Sequence, residues 1–117
     1  MPRVLSISYD VSLLQTRALM LSHEGFEVES AVGFSAAIQA CELRDFDLVI
    51  IGHSIPPEDK EAIVKELRRV CATPVLALRK ANESPLDSAE YNLDSGDPHR
   101  FLSYVKEITK QKTRAAS

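Results

Sequence analysis

The chain has too little cysteine for a disulfide framework. Its two cysteines, Cys41 and Cys71, fall in different predicted helices and match no metal-ligand spacing. Both read as reduced, largely buried thiols of a cytosolic protein. No apolar run approaches the roughly 18 residues of a membrane span, and the first residues show no signal-peptide pattern, so a cytoplasmic location is expected. Excess positive charge is missing as well. A net charge of −3 and a pI of about 5.6 give no global field that would draw nucleic acid or an anionic membrane. The local basic stretch with Lys106, Lys110, Lys112 and Arg114 reads as a solvated helix end and fraying terminus. There is no internal repeat, low-complexity segment or linker. The 117 residues read as a single domain with a core over about 2–109 and a basic tail over 110–117. A Ser-His-Asp order, a Cys-His arrangement and a metal cluster are all lacking, so nothing supports an enzyme or a bound cofactor.

What is present is an apolar strand signal at the centre. Leu48 to Ile51 is a β-branched-rich run between Asp47 and Gly52. A strand buried on both faces of a parallel sheet reads this way. In open α/β sheets, ligands and chemistry gather just beyond the carboxyl ends of such strands. Here that place holds Gly52 and then His53. Glycine can be neither nucleophile, metal ligand nor proton carrier, so the best-placed position is chemically blank.

Other elements alternate around this strand. Val4 to Ile7 is a short first strand. Asp10 or Ser12 can cap a helix with Leu13, Leu14, Ala18 and Leu21 at helical spacing, ended by Gly25. Phe26 to Glu29 alternates as a strand with one wet face, near a sheet edge. Ser35 can cap a helix running to about Leu43. Pro56-Pro57 followed by Glu58-Asp59 opens a third helix, with Ile63, Val64, Leu67 and Val70 inward. Lys60, Glu61, Lys65, Glu66, Arg68 and Arg69 then form its solvated outer face. Pro74 to Leu78 is a fourth strand and Tyr91 to Leu93 a fifth. Asp97-Pro98 caps a last helix with Phe101, Leu102, Val105 and Ile108 inward. Strands alternating with helices predict an α/β fold with a parallel sheet and right-handed crossovers.

This order, in so short a chain, resembles the receiver domain of bacterial response regulators. Arg3-Val-Leu-Ser-Ile resembles the opening strand, and Phe46 to Ile51 with the loop to Ile55-Pro56 resembles the acceptor strand. Thr73-Pro74-Val-Leu-Ala-Leu resembles the fourth strand, and Asp97-Pro98 the start of the final helix. The resemblance implies a flavodoxin-like, CheY-like doubly wound sheet of five parallel strands in the order 2-1-3-4-5. It also implies a pocket with two acids for Mg²⁺, an Asp phosphoacceptor, a Thr or Ser, a Lys and a responsive aromatic.

Aligned residue by residue, the acid pair falls on Ser8 and Tyr9, with Asp10 the single carboxylate after them. The acceptor falls on Gly52, the hydroxyl on Arg79 and the lysine on Asp94. Only the aromatic survives, as Tyr91, which is also an ordinary strand residue. The chain therefore resembles a degenerate receiver that lacks the phosphoacceptor. Only Lys80 to Tyr91 separates Arg79 from Asn92, so the helix that normally precedes the fifth strand is expected to be a stub or missing.

Arg79 and Asp94 carry opposite charges. Either they pair across the pocket mouth, with Asp10 joining and the guanidinium filling the space of metal and phosphate, or Arg79 points to solvent. His53 reads as a loop histidine rather than a phosphohistidine, because no acid pair brings a metal to it. His23 and His99 read as exposed helix-end residues.

The resemblance implies a phosphorylation-independent module of a two-component phosphorelay. Its partner would be a histidine kinase, a regulator or an output protein. With Ser117 the last residue, output is expected through contact, at the shortened segment from Lys80 to Ser95 and on the last helix. The face of the fifth strand and last helix is a possible homodimer surface. The alternative is a flavodoxin-like binder of a small ligand or nucleotide, against which Ser8 to Ser12 has hydroxyls but no glycine.

Overall fold

Strand β1 (Arg3–Ser8) lies between β2 (Glu27–Val32) and β3 (Leu48–Ile51), and β4 (Val75–Arg79) and β5 (Tyr91–Asp94) continue the sheet beyond β3. The computed structural model describes residues 2–94 and 96–116, with the side chains of 111–116 excepted, so the Lys112 and Arg114 side chains and Ser95 fall outside it. All four pairings are parallel, in the order β2-β1-β3-β4-β5. The alternation of elements predicts the parallel strands, and the resemblance implies their doubly wound, CheY-like flavodoxin order.

The strand alternation assigns side chains to two cores. Leu5, Ile7, Val49, Ile51, Val75 and Ala77 face α2 (Gly33–Leu43) and α3 (Pro57–Val70). Val4, Leu48, Ile50, Leu76, Leu78 and Leu93 face α1 (Val11–His23) and α4 (Pro98–Ala116). Leu48 to Ile51 are each 0% exposed, as a strand covered on both sides requires.

The helix ends follow local chemistry. The Asp10 carboxylate accepts from the amides of Ser12 and Leu13 and starts α1. Gly25, at φ +94°, ends the turn after it. Pro57 opens α3, with Glu58 and Asp59 at its positive end and Arg68 and Arg69 at its negative end. The Asp97 carboxylate accepts from the amides of His99 and Arg100.

Three expectations need correction. Val70 is not inward but 38% exposed, at the last residue of α3. Ser35 does not cap α2. Gly33, at φ +85°, turns the chain directly out of β2, so the cap position falls three residues earlier, at Val32, with no side-chain cap. Lys60 is not on a solvated face. It is 1% exposed, because its ammonium turns inward to the carbonyl of Leu78 at 2.7 Å and the Glu83 carboxylate at 2.5 Å.

Between β4 and β5 the chain forms turns and no helix. Leu86 fills the gap and is 7% exposed, on the side of the sheet that α3 covers. The Asn92 amide holds it in place, accepting from the Leu86 N–H at 2.7 Å and donating to its carbonyl at 3.0 Å.

Candidate functional site

The carboxyl ends of β1, β3, β4 and β5 bring together the residues singled out in the sequence. Ser8 is buried and shares a hydrogen bond with Ser54, Oγ to Oγ 2.8 Å, while its Oγ accepts from the Asp10 amide. Tyr9 turns away, 43% exposed, and its hydroxyl donates to Asp59 at 2.8 Å. That bond, helped by some burial, holds the Tyr9 phenol above its ordinary pKa. The Asp10 carboxylate is occupied with the start of α1. Thus the first loop presents one carboxylate, already engaged with backbone amides. Among the described residues, no three His, Cys, Asp or Glu side chains converge as a metal site.

Gly52 is buried, its amide donating to the Ile7 carbonyl at 2.8 Å. A Cβ placed on it would stand 2.6 Å from Nη1 of Arg17 and 3.1 Å from the Ile7 carbonyl oxygen. The volume in which a side chain at 52 would start is therefore filled by a guanidinium. Arg17 is 7% exposed although it carries a charge. Its Nη2 donates to Nδ1 of His53 at 3.1 Å, and its Nη1 has no hydrogen-bond partner among the described residues. A guanidinium only donates. Nδ1 of His53 must therefore be the acceptor, and the imidazole is neutral with its proton on Nε2. Its pKa agrees in direction: burial lowers it first, and the charges of Arg17, Lys80 and Lys60 lower it further. Burial also lowers that of Arg17, against the attraction of Asp10.

Arg17 is the residue that sequence reasoning missed. The signal was present in the spacing: Leu14, Arg17 and Leu21 lie three and four positions apart, on one helix face, and all three are buried. The arginine was passed over because its charge suggests solvent.

Arg79 does not close the pocket with Asp94. The two are register partners across β4 and β5, but no ion pair joins them, nor Arg79 to Asp10, among the described residues. Nη1 of Arg79 donates to the Glu83 carbonyl at 3.1 Å, and Asp94 accepts from the Gly96 amide at 2.9 Å. Each charged group finds a nearer backbone partner in its own loop. The arginine that fills the pocket comes from α1 instead. Nor is Arg79 free in solvent, since it is half-buried and its Nε is buried without a partner.

Lys60 supports this end of the sheet from behind. Its salt bridge to Glu83 joins α3 to the connector after β4. Partial burial alone would raise the pKa of Glu83, but hydrogen bonds from the Lys60 ammonium and the Lys80 amide hold it below the ordinary carboxylate value. Tyr91, half-buried, packs edge-on against Tyr104 of α4, with ring centroids 6.0 Å apart and planes at 77°. His23 and His99 are exposed at helix ends.

No helix among the described residues is long and apolar enough to cross a membrane. No protein-family model and no curated protein sequence matches the chain. Solved structures do. A two-component response regulator from Clostridium difficile superposes with a TM-score of 0.85 at 20% identity, over 96% of this chain and 98% of that one. A CheY-like response regulator receiver domain protein from Methanospirillum hungatei gives 0.84 at 17% identity, over 98% of both chains. A Thermotoga maritima response regulator, solved with Mg²⁺ and a beryllium fluoride, gives 0.80 at 19% identity, over 92% of this chain and 99% of that one. The chain thus has the fold of response regulator receiver domains along nearly its whole length.

Proposed function

We propose that the chain is a receiver-like signalling module of a cytoplasmic two-component system that works by protein contact and without phosphorylation. The observation that carries this reading is the pairing of Gly52 with Arg17. Where the fold would present an acceptor carboxylate, there is no side chain, and a guanidinium occupies the adjacent space. The neighbouring groups agree. Ser8 and Tyr9 offer hydroxyls rather than carboxylates, and Asp10 is engaged in starting α1. Mg²⁺ wants several hard oxygen ligands, preferably carboxylates, and one engaged Asp does not provide them. Asp94, where the resemblance places a cation, carries the wrong charge to pair with phosphate.

Such a module signals by the shape it presents. The surfaces at issue are the connector after β4, the face of β5 with Tyr91, and α4. Its partner would be a histidine kinase, a regulator or an output protein, and the β5–α4 face is also where a second copy would dock. The test is direct. Incubated with acetyl phosphate and Mg²⁺, the protein should show no mass gain of a phosphoryl group. It should nevertheless capture a histidine kinase or regulator from its native cytosol. A stoichiometric phosphoryl adduct on any side chain of this pocket would reject the reading.

A further inference from the structure

Beside the Arg17–His53 pair lies a cavity of about 160 Å³ between α1 and the start of α4. Leu13 and Met20 of α1, Leu78 at the end of β4 and Phe101 of α4 make its apolar walls, and Arg17 and His53 also line it. A cavity of this size, lined by such side chains, is large enough for a benzene ring. What sets it apart is the charge beside it. A guanidinium more than nine-tenths buried normally has a carboxylate against it, since an unpaired buried charge costs several kcal/mol. Arg17 has none. Its polar partner is a neutral imidazole, its Nη1 is unpartnered, and the nearby Asp10 carboxylate is engaged with the amides of Ser12 and Leu13.

We infer that this cavity is a binding site for a small aromatic monocarboxylate, its ring between Leu13, Met20, Leu78 and Phe101 and its carboxylate on the guanidinium of Arg17. A carboxylate accepts two parallel hydrogen bonds from one guanidinium. Turning the guanidinium as a rigid plane, away from Gly52 and off Nδ1 of His53, would present two of its N–H donors to the anion. The inference goes beyond the contact-only function and does not depend on it. The ligand enters between α1 and α4, not at the acceptor position, and its failure would leave the phosphorylation question untouched.

The experiment is a titration of the ¹⁵N-labelled protein followed by two-dimensional NMR. Three probes are compared: benzoate, the uncharged benzyl alcohol, and acetate. Benzoate should shift the Leu13, Met20 and Phe101 amides saturably below about 10 mM, a range reasonable for so small a ligand. Benzyl alcohol should bind about tenfold more weakly, and acetate should not saturate. In Arg17→Met, benzoate should fall to the level of benzyl alcohol. In Met20→Trp, which fills the cavity and keeps the arginine, both aromatic probes should be lost. Equal binding of benzoate and benzyl alcohol to the unaltered protein would overturn the proposal without any variant. So would the absence of saturable benzoate shifts, or benzoate binding that either substitution leaves unchanged.

Discussion

Nη1 of Arg17 lies 2.6 Å from the point where a Cβ on Gly52 would stand, closer than side-chain atoms tolerate. The two residues define each other: the guanidinium can lie there because residue 52 has no side chain. Gly52→Ala should therefore displace Arg17, break its bond to His53, crowd the Ile7 carbonyl oxygen and destabilise the fold by about 1–2 kcal/mol, the lower part of the range for overfilling a packed site because the guanidinium end is flexible. Chemical denaturation measures this. A neutral Gly52→Ala would mean that the guanidinium has room to spare.

Gly52→Asp is a sharper case. A carboxylate at 52 would meet Arg17 at once and pair with it, rather than with a metal. With hydroxyls rather than carboxylates at Ser8 and Tyr9, acetyl phosphate and Mg²⁺ should leave this variant unmodified by mass spectrometry. Full phosphoryl labelling of Gly52→Asp would show that the pocket has been misaligned.

Arg17→Met keeps the unbranched stem, ends short of the guanidinium position and removes the unpaired buried charge. Exchange of buried ions for apolar residues of similar volume is often neutral or stabilising. The variant should match the parent or exceed it by up to about 2 kcal/mol. A clear loss of stability would point to a counter-ion for Arg17 in solution.

His53 gives the fold a pH dependence of defined sign. The unfolded imidazole takes up its proton near its ordinary value of about 6.5. In the fold, burial and the neighbouring cations hold that protonation to lower pH. As pH falls below about 6.5 the unfolded chain therefore binds more protons, and stability declines toward the lower folded value. Urea midpoints at pH 7.5 and 5.5 should differ in that direction for the parent. The difference should shrink in His53→Gln, which keeps an amide near Arg17. An unchanged slope in His53→Gln would place the titration elsewhere.

Glu83→Gln leaves the ammonium of Lys60 buried with a carbonyl and an amide. Breaking one partner of a buried pair is costly, and the partial exposure of Glu83 moderates it, so a loss of about 2 kcal/mol is expected. Part of the same contribution should fade in acid. The Glu83 carboxyl is held below its ordinary value, so its contribution is complete above about pH 4.5 and disappears as pH falls through the lower folded value.

The two thiols should react unequally. Burial, with the adjacent Cys71 thiol and its charge contributing, pushes Cys41 up to about 12. Cys71 is half-buried at the end of α3. Alkylation at pH 8 should modify Cys71 in the native protein and both residues in denaturant. Modification of Cys41 in the native protein at the same rate would contradict this.

The sequence made most of the fold legible because its signals were local. The run Leu48 to Ile51, the prolines at 56 and 57 and the acids at 10 and 97 each specify an element through their own chemistry. The missing helix was legible as a distance, too few residues between Arg79 and Asn92. The site was harder because it depends on where long side chains go. Arg17 and Lys60 both sit on helices, Lys60 among charged neighbours and Arg17 as the one Arg, Lys, Asp or Glu of α1, and charge alone suggests water. Their burial follows from tertiary partners, Gly52 with His53 for one and Leu78 with Glu83 for the other, and those are 35 and 18 or more positions away. Arg79 and Asp94, expected to face each other across the pocket mouth, lie side by side in the sheet, yet adjacency in register does not make them a pair.

Lys60 reaches through the protein to the tip of β4 and to the loop that follows it. That loop is consequently not an independent flap. A protein that presses on Glu83 or its neighbours from outside also tugs on the first turn of α3. The tether is a mechanical line from the surface of the molecule, through the first turn of α3, toward the end of its central strand.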